Sequence, residues 1–358
     1  MTNDPCLIDH ILGGRYRVIR QLGKGGMGTV YEAENTWIKR RVALKVLDRA
    51  VAADEAFVRR FMQEAETAAQ LRHPNVVDVL DLGQDARTGA VFIVYELLVG
   101  RDLRKRLRAE GPLPAAEALA VIAPVMEALV LAHARGVVHR DLKPDNIFLA
   151  ETPGGVVSKL IDFGVARVTS DEGVSLQNTH AGAAIGTPYY MSPEHWRAEE
   201  AVDARADVWS LGVVLYEVLA GERPFRGRSS GALIAKILYE APTALAELAP
   251  DAPPALADAV MRALQKDREA RHPTMQAFLD AVRAASTGAQ ATSAKATSAV
   301  RCEPSAPAPS GASATFAPME TPPAVTPAPV RRPPPARRRV VPRAASAVVT
   351  PSNGIEVL

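Results

Sequence analysis

The sequence is poor in cysteine, carries almost no net charge and has no long uninterrupted apolar run. Only two of its 358 residues are cysteine, Cys6 and Cys302, and they lie near opposite ends of the chain. Two such distant cysteines do not make a disulfide framework, so we interpret them as free thiols in a reducing compartment. The formal net charge of +2 neither indicates nor excludes a nucleic-acid partner.

Features that would direct the chain to a membrane are also missing. Residues 1–6 lack the basic start and the following apolar run of a signal peptide. The most apolar stretch, residues 118–132, is interrupted by Pro124 and Glu127. We interpret this stretch as a buried helix that is too short to cross a membrane. The sequence therefore predicts a cytoplasmic protein without a membrane span.

The composition changes near residue 285. Residues 285–358 contain 13 of the 28 prolines, many Ala, Ser and Thr, eight Lys or Arg and three acids. This segment lacks the apolar density that would offset the entropy lost on ordering, so we predict a disordered Pro/Ala/Arg-rich tail. Within it, residues 331–343 hold six arginines and no acid. This stretch would dock an acidic or a proline-reading partner, or it is a solvated linker.

Three polar residues stand close together between apolar flanks in residues 137–149. They are Asp141, Lys143 and Asn146, and a second carboxylate, Asp162, follows sixteen residues after the asparagine. Carboxylate and amide oxygens are ligands that Mg²⁺ prefers, and they suit a hydroxyl nucleophile beside the metal. We therefore take Asp141, Lys143 and Asn146 as candidate catalytic residues, with Asn146 and Asp162 as metal ligands.

The N-terminal part reads as strands around a glycine-rich turn. Glycines 23, 25 and 28 leave no side chain between the backbone and a ligand, so N–H groups can approach phosphate oxygens. A plain glycine-rich hairpin is the alternative for this motif alone. Lys45 lies inside an apolar strand and needs a partner. The helix expected over residues 57–71 offers Glu64 or Glu66.

Together these segments resemble the eukaryotic-type protein kinases, with their H-R-D-x-x-x-x-N, D-F-G, glycine-rich and V-A-I-K motifs. The matching segments are Gly23–Gly28, Val42–Lys45, His139–Asn146 and Asp162–Gly164. The form Asp-Leu-Lys-Pro-Asp-Asn at 141–146 is similar to that of Ser/Thr kinases, and the composition looks like that of bacterial members.

The resemblance implies an α+β, bilobal kinase-like fold. A small β-rich lobe would cover about residues 15–99 and a large helical lobe about residues 100–284. A short extension, 1–14, would precede this domain, and the disordered tail, 285–358, would follow it.

The resemblance also implies transfer of the γ-phosphoryl group of MgATP to Ser or Thr hydroxyls of protein substrates. Asp141 would orient the hydroxyl and accept its proton, Lys143 would neutralise the γ-phosphoryl group, and Lys45 would hold the α- and β-phosphates. Glu64 would pair with Lys45, with Glu66 as the alternative. The implied cofactor-binding residues are Leu22, Gly23, Lys24, Gly25, Gly26, Met27, Gly28, Thr29, Val30, Ala43, Lys45, Glu64, Glu96, Leu98 and Asp102. Asp102 would lie near the ribose or cap a helix.

Residues 165–194 are rich in small and polar residues, which is typical of a mobile loop. By the resemblance this is an activation segment, and a phosphate on it would pair with Arg140. We predict activation by autophosphorylation with Thr179 as the leading site. The alternative sites are Thr169, Ser170 and Ser175.

The resemblance predicts two structural contacts, a Glu194–Arg271 pair and support of the catalytic-loop backbone by Asp207. It is compatible with a self-dimer for autophosphorylation, and we expect no nucleic-acid partner. Two other readings are a catalytically silent scaffold and a small-molecule phosphotransferase. The first usually lacks one of the catalytic groups, and the second lacks the Gly-Thr-Pro…Ser-Pro-Glu segment at 186–194.

Overall fold

The computed structural model describes residues 7–162, 188–197, 199, 202–285 and 356–357, without the side chains of residues 60, 64, 67, 356 and 357. The strands are β1 (Ile11–Leu12), β2 (Tyr16–Lys24), β3 (Gly28–Asn35), β4 (Arg41–Leu47), β5 (Val79–Gln84), β6 (Val91–Glu96), β7 (Val99–Asp102), β8 (Ile147–Thr152), β9 (Gly155–Leu160) and β10 (Glu356–Val357). The helices are α1 (Arg49–Ala52), α2 (Glu55–Gln70), α3 (Leu103–Glu110), α4 (Ala115–Ala134), α5 (Pro193–Trp196), α6 (Arg205–Ala220), α7 (Ser230–Tyr239), α8 (Leu245–Leu248) and α9 (Pro254–Ala263). Residues 275–285 are also helical, and short 3₁₀ turns occur at Pro144–Asn146, Pro188–Tyr190 and Arg268–Ala270.

The small lobe is an antiparallel sheet of six strands in the order β1-β2-β3-β4-β6-β5. Helix α2 packs on it through the buried side chains of Phe61 and Ala65. The helix begins after Asp54, whose carboxylate accepts hydrogen bonds from the N–H groups of Ala56 and Phe57. This N-cap satisfies two backbone donors that a helix otherwise leaves unpaired.

The sequence predictions for this lobe are partly displaced. The strand expected over residues 76–80 begins only at Val79, because Val76 instead forms an isolated parallel bridge with Leu160. The N–H of Val77 donates to the Leu160 carbonyl as well, at 3.0 Å. Strand β1 precedes residue 15 and β10 lies in the C-terminal tail, and the expected domain bounds of 15–284 stay a prediction.

The large lobe is built around α6, in which every residue from Ala206 to Leu219 is buried. Helix α4 packs in the same core and buries eight of its residues. The buried helix expected over residues 118–132 lies within α4. Helix α4 is 20 residues long, and among the described residues it alone has the length and composition of a membrane span. A core helix also has this composition. The predicted α+β architecture with a small β-rich lobe and a larger helical lobe is confirmed.

A second antiparallel sheet, in the order β10-β7-β8-β9, lies where the chain passes from the small to the large lobe. Strand β7 begins three residues after the end of β6, and β8 follows the turn that carries Asn146. Gly100 has a φ of 144° and sits so close to β8 that a Cβ would lie 2.1 Å from the Leu149 carbonyl oxygen. Glycine therefore permits the pairing of β7 with β8.

Candidate active site

Three candidate catalytic residues meet in the turn between α4 and β8. The Nζ atom of Lys143 lies 2.6 Å from Oδ2 of Asp141. Asn146 donates from Nδ2 to the main-chain oxygen of Asp141 at 2.8 Å and to its Oδ2 at 3.1 Å. The Asp141 carboxylate is thereby fixed by two donors, and the amide oxygen of Asn146 is left as the group that can bind a cation.

This turn rests on Asp207, near the start of α6. The Asp207 carboxylate accepts hydrogen bonds from the N–H of His139 at 2.8 Å and of Arg140 at 2.9 Å. Nε2 of His133 lies 2.8 Å from the same carboxylate. Burial would raise the pKa of the fully buried Asp207, but the hydrogen bond with His133 and the nearby imidazoles lower it below its usual value. The predicted support of the catalytic-loop backbone is confirmed.

A second buried contact joins Glu194 to Arg271, near the end of the domain. Arg271 donates from Nη1 and Nη2 to the two carboxylate oxygens of Glu194, each at 2.8 Å. The arginine side chain is 0% and the glutamate side chain 4% exposed. Such a two-bond geometry is the strongest that an arginine and a carboxylate can form. The predicted Glu194–Arg271 pair is confirmed.

Lys45 of β4 reaches across the cleft to Asp162. Its Nζ lies 2.6 Å from Oδ1 of the aspartate, and the two side chains are 16% and 41% exposed. Burial would raise the pKa of Asp162, but attraction and a hydrogen bond from Lys45, followed by attraction from Lys143, lower it. Asp162 therefore stays ionised and is open to a ligand.

Two non-glycine residues of the site have left-handed backbones. Arg140 has a φ of 61° and Asp162 a φ of 52°. This conformation is unfavourable for such residues and persists only where neighbouring contacts impose it. Those contacts are the Arg140 N–H bond to Asp207 and the Asp162 pair with Lys45. The N–H of Ile161 also donates to the Asn146 carbonyl at 2.9 Å, which holds the two candidate metal ligands, Asn146 and Asp162, close together.

The donor set at Asn146 and Asp162 fits a hard divalent cation. Both residues offer oxygen, and the aspartate is charged. No group of three or more His, Cys, Asp or Glu side chains that could hold a metal lies within the described part of the chain. A cation here would therefore complete its coordination with water or phosphate oxygens.

The glycine-rich turn joins β2 to β3. The Gly25 N–H donates to the Gly28 carbonyl at 2.8 Å. A Cβ on Gly28 would lie 2.2 Å from the Val46 carbonyl oxygen, so this glycine serves the packing of β3 on β4. A Cβ on Gly23 would meet nothing within 4 Å, and on Gly25 only the Gly28 oxygen at 3.7 Å. Protein packing does not require glycine at these two positions, which leaves them open to a ligand. Leu22, Lys24, Gly26 and Met27 lie on the same hairpin.

A narrow cavity of about 30 Å³ lies beneath this hairpin, and Lys45 and Asp162 line it. Its other lining residues are Val30, Ala43, Val77, Tyr95, Glu96, Leu98 and Ile161. Four predicted cofactor positions, Val30, Ala43, Glu96 and Leu98, are thereby brought together with the lysine. The cavity is smaller than the usual small-molecule site.

Glu96 and Asp102 are two of the predicted cofactor-binding residues, and their side chains form hydrogen bonds within the protein. Glu96 accepts from Nζ of Lys159 at 2.6 Å and from the Asp78 N–H at 2.9 Å. Its own N–H donates to the Asp78 carbonyl at 3.0 Å, so a contact of Glu96 with a nucleotide base stays a prediction. Asp102 caps α3, accepting from the N–H of Lys105 at 2.8 Å. Its second oxygen lies 3.2 Å from Nζ of the same lysine. The helix-cap interpretation therefore describes this residue, and the ribose contact stays a prediction.

Thr29 is separated from the cleft. Because successive side chains of a strand point to opposite faces, Val30 lines the cleft and Thr29 a larger cavity of about 380 Å³. The narrow cleft is lined by Lys45 and Asp162, whereas the larger cavity contains neither, so we assign the site to the narrow cleft. Glu66 is exposed on α2. The Glu64 side chain and the whole of Thr179 lie outside the described residues, and both assignments stay predictions.

One buried polar cluster near the site was missed from the sequence. Arg104 of α3 donates to Oε1 of Glu217 at 2.6 Å, to the Tyr190 hydroxyl, and to Asp145 in the catalytic turn at 3.3 Å. The Tyr190 hydroxyl in turn donates to Glu217 at 2.5 Å. Burial would lower the pKa of Arg104, but the Tyr190 oxygen and Glu217 raise it. The sequence of α3, Leu-Arg-Lys-Arg-Leu-Arg-Ala-Glu, is typical of a solvent-exposed charged helix, so it does not predict that Arg104 is buried.

Comparison with known proteins agrees with this geometry. The family model described as "Protein kinase domain" matches residues 16–281. A serine/threonine-protein kinase, pkn3 of Myxococcus xanthus, is 40% identical over 277 residues, which is 75% of this chain and 50% of the relative. The chain thus spans about half the length of this curated relative.

Solved structures give the same result. The crystal structure of the PknI kinase domain of Mycobacterium tuberculosis is similar with a TM-score of 0.62 and 32% identity, covering 78% of this chain and 100% of that one. Rad53 1–466 in complex with AMP-PNP has a TM-score of 0.60 and 26% identity, covering 74% of this chain and 64% of that one.

Proposed function

The chain belongs to the protein kinase family, and we propose that it transfers the γ-phosphoryl group of ATP to Ser or Thr hydroxyls of proteins. The observation that carries this proposal is that the turn with Asp141, Lys143 and Asn146 is joined to the Lys45–Asp162 pair through the Ile161 N–H bond to the Asn146 carbonyl. A solved relative binds AMP-PNP, an ATP analogue, which supports ATP as the donor.

Each group would have a distinct task. The Asp141 carboxylate would accept a hydrogen bond from the substrate hydroxyl, orient it and take its proton. Lys143 and Lys45 would lie against phosphate oxygens, and each now pairs with a carboxylate that it would share with those oxygens. Mg²⁺, when bound between Asn146 and Asp162, would neutralise phosphate charge. Because transfer needs little covalent chemistry from the protein, positioning and charge would supply most of the rate.

The experiment is incubation of the purified chain with MgATP and a general protein substrate, followed by intact mass measurement and phosphosite mapping. Asp141→Asn is the inactive variant. Asp145→Asn is the matched control, since it makes the same change four residues later, where the carboxylate meets Arg104. We expect phosphoserine or phosphothreonine with the wild type and Asp145→Asn, and none with Asp141→Asn.

The same experiment separates the other two readings. Binding of ATP without phosphate transfer to any acceptor would favour a silent scaffold. Phosphate on a small molecule and never on protein would favour a small-molecule phosphotransferase. Either result contradicts the proposed function.

Activation by autophosphorylation, with Thr179 as the main site, forms part of the proposal. Its support is the sequence of the segment and the position of Arg140 directly before Asp141, since an arginine there can pair with a phosphate. Phosphopeptide mapping of the active protein should find phosphate within residues 169–180. Full activity of protein that carries no phosphate there would contradict it.

We also propose a cytoplasmic location for this domain, where ATP is supplied and free cysteines persist. Cell fractionation with protease protection tests this. Digestion of the domain from outside intact cells would contradict the proposal.

A further inference from the structure

The outer edge of β7 is covered by a strand from the far end of the sequence. In antiparallel register, Glu356 pairs with Gly100 and Val357 pairs with Val99. On its other side β7 pairs with β8, so both edges of this short strand are occupied. An uncovered edge would present backbone N–H and C=O groups that readily accept an extended peptide.

The paired edge of β7 lies at the connection between the two lobes. β7 begins directly after Leu98, which lines the cleft, and ends at Asp102, which caps α3. β7 is therefore part of the connection between the two lobes. A strand lying along β7 restrains this connection next to the backbone that would meet the nucleotide base.

The local chemistry favours an exchangeable contact. Val99 is 42% exposed although it is apolar, and only two residue pairs join β10 to β7. So short a pairing is marginal by itself. Residues 286–355 tether the strand, and 70 residues at about 3.5 Å each can reach any part of the domain. Tethering makes the docking intramolecular and raises the effective concentration of the strand.

We propose that Glu356–Val357 is a docking strand that binds the β7 edge of its own chain, restrains the connection between the lobes and thereby strengthens nucleotide binding. The docking itself is independent of the proposed function, whereas the effect on nucleotide binding rests on it. The strand binds and leaves, and each release loosens the segment at Val99 and Gly100.

Amide hydrogen exchange of the 99–102 segment tests the docking. The full chain is compared with a chain ending at Asn353 and with two double variants. The first, Glu356→Pro with Val357→Pro, removes both strand N–H groups, and the second, Glu356→Ala with Val357→Ala, keeps them. We expect exchange at Val99 or Gly100 to become at least about threefold faster in the shortened chain and the proline variant, and to stay near wild type in the alanine variant.

Equal exchange in the full and shortened chains overturns the proposal. Protection that grows with protein concentration also overturns it, because the strand would then come from a second copy.

The affinity for AMP-PNP tests the consequence. Removal of the strand should weaken AMP-PNP binding by about two- to tenfold, and by reciprocity AMP-PNP should slow exchange at the β7 edge more in the full chain than in the shortened one. Equal affinities would overturn the effect on nucleotide and leave the docking in place. Failure of every form to bind AMP-PNP would contradict the proposed function and this effect together, while the exchange result would still decide the docking.

Discussion

The two sides of the cleft are held by different kinds of contact. On the large-lobe side, the turn with Asp141 rests on Asp207, which is 0% exposed, and the next segment is fixed by the buried Glu194–Arg271 pair. On the small-lobe side, the described contact is one ion pair from Lys45 to an Asp162 side chain that is 41% exposed. The side that we propose orients the substrate hydroxyl is therefore held by buried contacts, while the side that we propose binds the phosphates is held by one partly exposed ion pair.

The strongest test of this contrast is the loss of the buried arginine. Arg271→Ala should lower the free energy of unfolding by about 3–5 kcal/mol, because it leaves the Glu194 carboxylate buried without a partner. Chemical denaturation measures this loss. Arg268→Ala is the matched control, since that side chain is 33% exposed and its Nη1 lies 3.6 Å from the Glu199 carboxylate. Equal losses in the two variants would show that burial of the pair does not matter.

The converse test removes the small-lobe lysine. Lys45→Met should lower kcat/KM by about 10²–10³-fold, or about 2.7–4 kcal/mol, because it removes a charge aimed at the phosphates. Its free energy of unfolding should change by less than about 1 kcal/mol, since partly exposed ion pairs contribute little. Kinetics and denaturation are measured on the same preparation, with Lys39→Met, at a 70% exposed lysine, as the control. A large loss of stability would contradict the contrast.

Two glycines of the same turn separate packing from ligand contact. Gly28→Ala should cost about 1–3 kcal/mol of unfolding free energy, because its Cβ would meet the Val46 carbonyl oxygen at 2.2 Å. Gly25→Ala should leave stability near wild type and act on the affinity for AMP-PNP. Thermal unfolding and a binding titration of both variants check the pair. The reverse pattern would show that the turn is packed differently.

The smallest predicted effect is a loss of the stability contribution of Glu194 at acidic pH. Burial would raise the pKa of Glu194, but hydrogen bonds and attraction from Arg271 lower it below the ordinary value of about 4.5. The unfolded chain then binds the proton more readily, so the contribution of Glu194 is fully present above about pH 4.5 and is lost as the pH falls through its lower folded pKa. The stability difference between wild type and Glu194→Gln should be constant from pH 7 to 5 and shrink below that. If the stability difference between wild type and Glu194→Gln grows below pH 5, the pKa of Glu194 is raised on folding and the prediction is wrong.

The sequence was most informative where chemistry and local geometry coincide. Asp141, Lys143 and Asn146 are five positions apart at most, and one turn brings them together, so their motif could be interpreted without a fold. The Arg104–Glu217 contact joins residues 113 positions apart, and arginine and glutamate are residue types that are mostly exposed, so the sequence does not predict their burial. The start of β5 was displaced for the same reason, since Val76 pairs with Leu160, far along the chain. Strand β10 lies in a segment whose composition predicts disorder. It is only two residues long, which is too short to show the alternating pattern of a strand.

The support of the catalytic turn by Asp207 has a consequence for synthesis of the chain. His139 and its carboxylate partner are 68 residues apart, so the turn is made well before the group that fixes it. At about 5–20 residues per second, a ribosome needs about 3–14 s to cover that distance. During this interval, the nascent chain holds Asp141, Lys143 and Asn146 without the buried carboxylate that supports the backbone of their turn. The order of the sequence thus delays activity until the centre of the large lobe has been made.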